Sequence, residues 1–279
     1  MLAHWEGEPV AVLQDLWGVP LLEMHGTLPS TNDRARELRA VGAPPFTVVL
    51  AEGQSAGRGR SGAPWVSEAG RGVWLSLLAP APRTAGGGTV LPLLAGLAVA
   101  RAIEASVPGV SAQVKWPNDV LVSGLKVAGV LCEGGAVADS TALAVVGIGV
   151  NVRPLPEEAP EEVRCRAGAL EDLAGARVSR VSFTGRLVRA CRQVMENASP
   201  TLSRGARADL EERDALRGLR VETDGGVEGV AQGMDEEGAL LVRDPHGERH
   251  RIHAGRVVRA EGRPAVETLR QQGGRACTC

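Results

Sequence analysis

The apolar positions along this chain change period several times, and each change marks an element. Residues 1–29 carry Trp5 and Trp17 but no long periodic run. Ser30-Thr31-Asn32-Asp33 reads as a helix start, with Ser30 and Asp33 at capping-box spacing. Ala35, Leu38 and Val41 would form the inner face of a short helix that Gly42 and Pro44 end. Phe46 to Ala51, apolar but for Thr47, reads as a buried-type strand. It leads into a stretch holding Gly53, Gly57, Gly59 and Gly62 with Arg58 and Arg60, which predicts a mobile cationic loop. Gly72 to Leu78 reads as a second strand. Thr89 to about Ser106 is apolar on nearly every face, with Pro92 in its first turn, and predicts a buried helix.

Farther along, Gln113 to Trp116 is strand-like and Pro117 ends or kinks it. Val120 to Val122, the pair Ser123-Gly124 and Leu125 to Leu131 predict a hairpin. Ala142 to Val152 predicts another strand, ending in Gly147-Ile148-Gly149-Val150-Asn151, before an acidic, Pro-rich loop with Glu157, Glu158, Glu161 and Glu162. Phe183, Leu187, Cys191 and Val194 fit one face of an amphipathic helix, and residues 206–217 predict one more helix. Near Gly218 the pattern shifts to short Val- and Leu-bearing strands between Gly turns, which predicts a small all-β barrel of about five strands. Residues 263–279 are expected to be a disordered tail.

Length and composition narrow the class. A chain of 279 residues predicts one large domain or two unequal ones, and 44% hydrophobic residues suffice for a full core. The net charge of −2, from 31 basic and 33 acidic residues, argues against a dedicated nucleic-acid partner. The first six residues have neither the basic nor the apolar segment of a signal peptide. The apolar run from Thr89 stops at Arg101, short of the ~20 residues that span a bilayer. A soluble, cytoplasmic protein with no membrane contact is expected. Five Cys are too few for a disulfide scaffold, and Cys277 and Cys279 lack zinc-ligand partners. His246, His250 and His253 are expected at the surface of the barrel.

The scarce residues carry the candidate chemistry. Only two of the 31 basic residues are Lys, Lys115 and Lys126; the rest are Arg. A chain that writes Arg nearly everywhere keeps Lys where a compact ammonium does what a planar fork cannot. Three of the four Asn (Asn32, Asn118, Asn151) fall in segments that stand out on other grounds. Arg58-Gly59-Arg60 could clamp a phosphate between guanidiniums and backbone N–H groups. Lys115-Trp116-Pro117-Asn118-Asp119 would project a charge from a strand end into a pocket. Gly147 and Gly149 in an apolar strand suggest close approach of a ligand or of another backbone.

In this order and spacing, Ser30-Thr31-Asn32, Gly57-Arg58-Gly59-Arg60 with Trp65, Lys115 to Asp119, Lys126-Val127-Ala128-Gly129 and Gly147 to Asn151 resemble the biotin protein ligases. The resemblance runs from Ser30 to Asn151 and returns at Gly229 to Leu241. It implies an α+β fold with a mixed, largely antiparallel sheet flanked by helices, of the class II aminoacyl-tRNA synthetase/biotin ligase kind. A catalytic domain at 1–217 would be followed by an SH3-like β-barrel at 218–262. It implies ATP and Mg²⁺ as cofactors, biotin as substrate, and a biotin carboxyl carrier protein domain of a carboxylase as partner. Biotin's carboxylate would attack the α-phosphate of ATP, giving biotinyl-5′-AMP and pyrophosphate. A carrier Lys would then take the biotinyl group and release AMP.

The same resemblance implies the site. Lys115, Arg58, Arg60 and Lys126 would be catalytic. Ser30, Thr31, Asn32, Gln54, Arg58, Gly59, Arg60 and Lys115 would bind biotin. Arg58, Arg60, Trp65, Asn118, Lys126, Gly149 and Asn151 would bind ATP or the adenylate, and Asp119 would assist Mg²⁺. A plainer reading makes Ser30 a helix cap and Trp65 and Trp116 core residues. Only 29 residues precede Ser30, so a monofunctional ligase without the DNA-binding domain of some relatives is expected. A lipoate or octanoyl ligase or transferase, and a non-catalytic biotin-binding module, are the alternatives. Whether the chain forms a homodimer is left open.

Overall fold

A computed structural model of the protein describes residues 1–81, 90–134 and 143–261. Thr89, Ala142 and the tail at 263–279, with Cys277 and Cys279, lie outside the described residues. The first 29 residues, which showed no long period, form β1 (His4–Trp5), β2 (Glu8–Pro9), α1 (Val10–Trp17) and β3 (Leu22–Leu28). Their pattern is hidden because the elements are short and β3 carries Glu23, buried only through its pairing with Arg34 and His25.

α2 (Thr31–Ala40) starts where predicted, yet the Ser30 side chain makes no capping bond. The first N–H of the helix, that of Thr31, is taken instead by Gln54 Oε1 at 2.9 Å, from another strand. Ala35 and Leu38 are buried as expected, but Val41 is 80% exposed because the helix has already ended at Ala40. β4 (Val48–Gln54) begins after Phe46, whose φ of 64° is left-handed, and runs on through the start of the predicted loop. β5 (Gly72–Pro80) follows. α3 (Val90–Ser106) is buried along most of its length, as its all-round apolar surface requires.

β6 (Ala112–Lys115), β7 (Asp119–Val122), β8 (Leu125–Gly134) and β9 (Leu143–Asn151) complete the main sheet. The β7–β8 turn is Ser123-Gly124 with φ of 52° and 77°, the two positive values a two-residue type I′ hairpin needs. The seven strands lie in the order β3-β4-β5-β9-β8-β7-β6. Only β3 and β4 pair in parallel. The sheet is therefore mixed and largely antiparallel, with helices flanking it. After α4 (Glu161–Arg164) and α5 (Leu170–Ala174), α6 (Arg180–Met195) packs on α3. α7 (Arg204–Glu212) stops short of the predicted residue 217. There the backbone turns to bond β6, with Arg213 O accepting from Val114 N and Ala215 N donating to Val114 O.

β10 (Arg220–Thr223), β11 (Glu228–Met234), β12 (Leu240–Arg243), β13 (Arg249–Ile252) and β14 (Val257–Glu261) form the predicted five strands. They make an antiparallel sheet in the order β13-β12-β11-β10-β14, and β13 does not pair with β14, so among the described residues no closed barrel forms. The reason lies in the packing. Val221, Ala231, Leu240 and Val242 share one apolar cluster with Trp116, Leu210 and Leu216 of the larger part, so the main body covers the sheet. Trp116 is 1% exposed and donates from Nε1 to Gly238 O at 3.0 Å, which makes it a core residue joining the two sheets.

Candidate active site

A cavity of about 770 Å³ opens on the main sheet. Its floor includes Gly129 of β8 and Gly147 and Gly149 of β9; its walls come from the start of α2, Gln54, the 58–65 loop and the β6–β7 turn. Asp224, Gly255 and Arg256 of the C-terminal sheet close one side. Of the residues singled out from sequence, Ser30, Thr31, Asn32, Gln54, Arg58, Gly59, Arg60, Trp65, Lys115, Asn118, Asp119, Lys126 and Gly149 all line it. Asn151 does not; it sits at the end of β9, buried, and donates to Gly168 O at 3.2 Å.

The floor glycines are needed for close approach, but what approaches is side chain. A Cβ on Gly147 would lie 2.2 Å from Asn32 Oδ1, and one on Gly149 2.4 Å from Trp65 Nε1. A Cβ on Gly129 would meet the same indole at 2.9 Å. Trp65 thus lies against bare backbone, with Lys126 Nζ 5.2 Å from the ring centre, inside the range of a cation–π contact. Its Nε1 is buried without a hydrogen-bond partner among the described residues.

One end of the cavity is neutral. Gln54 Oε1 accepts from Thr31 N and, at 3.1 Å, from Thr31 Oγ1, while Gln54 Nε2 donates to Ser67 Oγ at 2.9 Å. Ser76 Oγ donates to Asn32 Oδ1 at 2.6 Å and lies 2.8 Å from Thr31 Oγ1. Asn32 Nδ2 donates to Glu133 at 2.6 Å. Ser76, Ser67 and Glu133 escaped the sequence reading. Only Ser76 left a trace there, as the one hydroxyl inside the apolar run Val73 to Leu78.

The other end is cationic. Lys115 faces Asp119 across the β6–β7 register, and Asp119 bonds Lys126 Nζ at 2.6 Å. Burial pushes the Lys115 ammonium below its ordinary pKa; Asp119 opposes this, while Lys126 and Arg166 add to it. Asn118 holds the β7–β8 geometry through Nδ2 to Val130 O at 2.7 Å. The loop between is tied rather than free. Trp65 N bonds Gly57 O, and Gly59 N bonds Ala63 O. Arg58 grips both oxygens of Asp33 at 2.9 and 2.7 Å, which holds the Asp33 carboxyl below its usual range. Arg60 reaches Gly255 O at 2.9 Å. The expected cationic loop folds as a small hairpin whose arginines reach Asp33 and Gly255, both distant in sequence.

Among the described residues, a grouping of metal-ligand side chains lies elsewhere. Asp244, Glu248 and His250 group their ligand atoms on the C-terminal sheet, where His250 pairs with Asp244 at 2.9 Å. In the cavity, Asp119 is already engaged by Lys126.

Comparison with known proteins agrees with this arrangement. Residues 26–151 match the Biotin/lipoate A/B protein ligase family, and residues 218–259 match the Biotin protein ligase C terminal domain. The bifunctional ligase/repressor BirA of Bacillus subtilis is 34% identical over 80% of this chain and 69% of its own. The biotin–[acetyl-CoA-carboxylase] ligase of Mycobacterium tuberculosis is 38% identical over 76% of this chain and 78% of its own. The biotin protein ligase from Aquifex aeolicus in complex with biotin and ATP superposes with a TM-score of 0.74 at 28% identity, over 87% of this chain and 100% of that one. Sequence, fold and the gathering of the motif residues around one cavity agree: this chain belongs to the biotin protein ligase family.

Proposed function

We propose that the cavity activates biotin with ATP and hands the biotinyl group to a lysine of a carrier protein. The observation that carries this reading is the division of one cavity into a neutral hydrogen-bonding end and a cationic end. The ureido ring of biotin has two donors and one acceptor, which suits the hydroxyls and amides of Thr31, Asn32 and Gln54 beside buried Ser30. The carboxylate of biotin then points toward Lys115, where the α-phosphate of ATP must also lie.

In the first step a carboxylate oxygen bonds to the α-phosphorus, the bond to the bridging oxygen of the β-phosphate breaks, and pyrophosphate leaves. Two anions must meet, so the step depends on positioned positive charge. Lys115 screens the carboxylate and α-phosphate, and Lys126 adds charge while Trp65 and Gly149 offer a flat wall for the adenylate. Arg58, Gly59 and Arg60 cover the mixed anhydride and keep water from it. In the second step the neutral carrier amine bonds to the acyl carbon, the bond from that carbon to the phosphate oxygen breaks, AMP leaves, and the nitrogen gives up a proton to solvent. Asn118 serves by fixing the turn that carries Lys115 and Asp119. Mg²⁺ fits as an ion brought by the ATP phosphates, since Asp119 is one carboxylate and is engaged by Lys126.

We read residues 1–217 as the ligase unit and the sheet beginning at 218 as an SH3-like lid on its cavity. Among the described residues no helix is long and apolar enough to cross a membrane. The test is mass spectrometry of a biotin carrier domain incubated with protein, ATP, Mg²⁺ and biotin. One added biotinyl group, with AMP and pyrophosphate as products, is expected. ADP and phosphate as products would overturn the adenylate route. Lipoate or octanoate used in preference to biotin would overturn the substrate, and biotin binding without transfer would leave a binding module.

A further inference from the structure

Four arginines line the cavity, and three have partners. Arg58 holds Asp33, Arg60 holds Gly255 O, and Arg256 lies 3.8 Å from Asp224. Arg166 makes no side-chain hydrogen bond or ion pair among the described residues. It is exposed at the rim, on the same side as Lys115 and Lys126.

Its backbone, by contrast, is fixed. Arg166 O accepts from Lys126 N at 2.8 Å, Gly168 N donates to Lys126 O at 2.9 Å, and Lys126 and Ala167 form a parallel bridge. The 166–168 segment is thus stitched to the start of β8. This holds a guanidinium on the same side of the cavity as two ammoniums, where the carboxylate facing Lys115, that of Asp119, is taken by Lys126. Like charges gathered this way repel, and burial-driven loss of Lys115 basicity is deepened by Arg166 itself. A polyanion placed among them turns that repulsion into attraction. Lys115 is the deeper group and Arg166 the outer one, so an anion held between them extends from the floor to the rim.

We propose that Arg166 binds the β- and γ-phosphates of ATP and the pyrophosphate that leaves. The assignment rests on the biotin-adenylating reading above. The guanidinium fork matches phosphate oxygens two at a time, and its exposed position puts the leaving group next to solvent. The proposal confines Arg166 to the first step, because biotinyl-AMP has no β-phosphate.

The experiment separates the two half-reactions. Biotinyl-AMP formation is followed with varied ATP, and transfer from preformed biotinyl-AMP to a carrier domain is followed without ATP, for wild type, Arg166→Ala and Arg166→Lys. For Arg166→Ala, kcat/KM for ATP is expected to fall about ten- to a hundredfold, the worth of a charge-assisted phosphate contact. Inhibition by added pyrophosphate should weaken in parallel. Transfer from biotinyl-AMP should stay within about twofold of wild type, and Arg166→Lys should recover part of the loss. Equal losses in both half-reactions would overturn the proposal in favour of a structural role for the 166–168 segment. No loss in either would overturn it as well. A wild-type protein that performs neither half-reaction would instead defeat the adenylating reading itself.

Discussion

At one end of the cavity Thr31, Asn32 and Gln54 already hydrogen-bond one another or the protein around them, through Ser76, Ser67 and Glu133. At the other, Lys115 and Lys126 flank one carboxylate, Asp119, and Arg166 stands at the rim on the same side. The neutral end is satisfied before any substrate arrives, so its geometry is set by the fold. The cationic end is not satisfied: it holds like charges together and partly desolvates one of them. A neutral ring is selected by groups already in place, whereas a reaction between two anions needs positive charge in excess. Substitutions at the two ends should therefore differ in size and in the step they disturb.

The largest effect is expected at Lys115. Lys115→Ala removes a positioned donor to developing charge and should slow adenylate formation by about 10²–10³-fold. Lys115→Arg keeps the charge but replaces an ammonium with a fork, and should still cost at least about tenfold. Single-turnover formation of biotinyl-AMP measures both, with thermal melts expected to match wild type. An unchanged rate in Lys115→Arg would make the scarcity of Lys an accident and erase the contrast.

Gly149→Val comes next. Its Cβ would fall 2.4 Å from Trp65 Nε1, so the indole must leave its seat. Overpacking of this kind costs about 1–3 kcal/mol, and calorimetric titration should show biotinyl-AMP bound about tenfold more weakly. Unaltered binding would mean that Trp65 is only a filler between loop and sheet.

Ser76→Ala tests the neutral end. It leaves Asn32 Oδ1 buried without its 2.6 Å donor. The loss should be about 1–3 kcal/mol, read as a raised KM for biotin with kcat and the KM for ATP nearly unchanged. A change confined to ATP would merge the two ends into one.

The smallest effect is expected at Asp33→Asn, which releases Arg58. Both partners are about one-third exposed, so solvent screens the pair and its worth is about 0.2–1 kcal/mol. Arg58 lowers the Asp33 pKa in the folded protein. The pair's stability is therefore full above the unfolded carboxylate value of about 3.9 and is lost as the pH falls through the lower folded value. Thermal melts across the acid range should show wild type and Asp33→Asn converging only below about pH 4. Convergence nearer neutrality would assign the coupling to another group.

Much of the fold was legible along the chain because it is written in local terms. The all-round apolar surface of α3, the Ser123-Gly124 turn and the Gly turns of the C-terminal sheet each need only neighbouring residues to be recognised. The motif positions were legible because two Lys among 31 basic residues stand out without any partner in view. What escaped depends on partners far away in sequence. Gln54 caps α2 from 23 positions off, Asn32 meets Glu133 across 101, and Arg60 meets Gly255 across 195.

The sequence by itself determined which residues are exceptional, where turns can form and which segments must be buried, since period, turn chemistry and composition act over a few residues. Only the tertiary structure decided that Trp65 lies on Gly129 and Gly149 and that the C-terminal sheet leans on Trp116 instead of closing on itself. It alone left Arg166 as the cavity arginine without a partner among the described residues. The physical reason is that a side chain's partner is set by which strands pair and in what register. That is a property of the packed chain, and no short window of it contains both members of the pair.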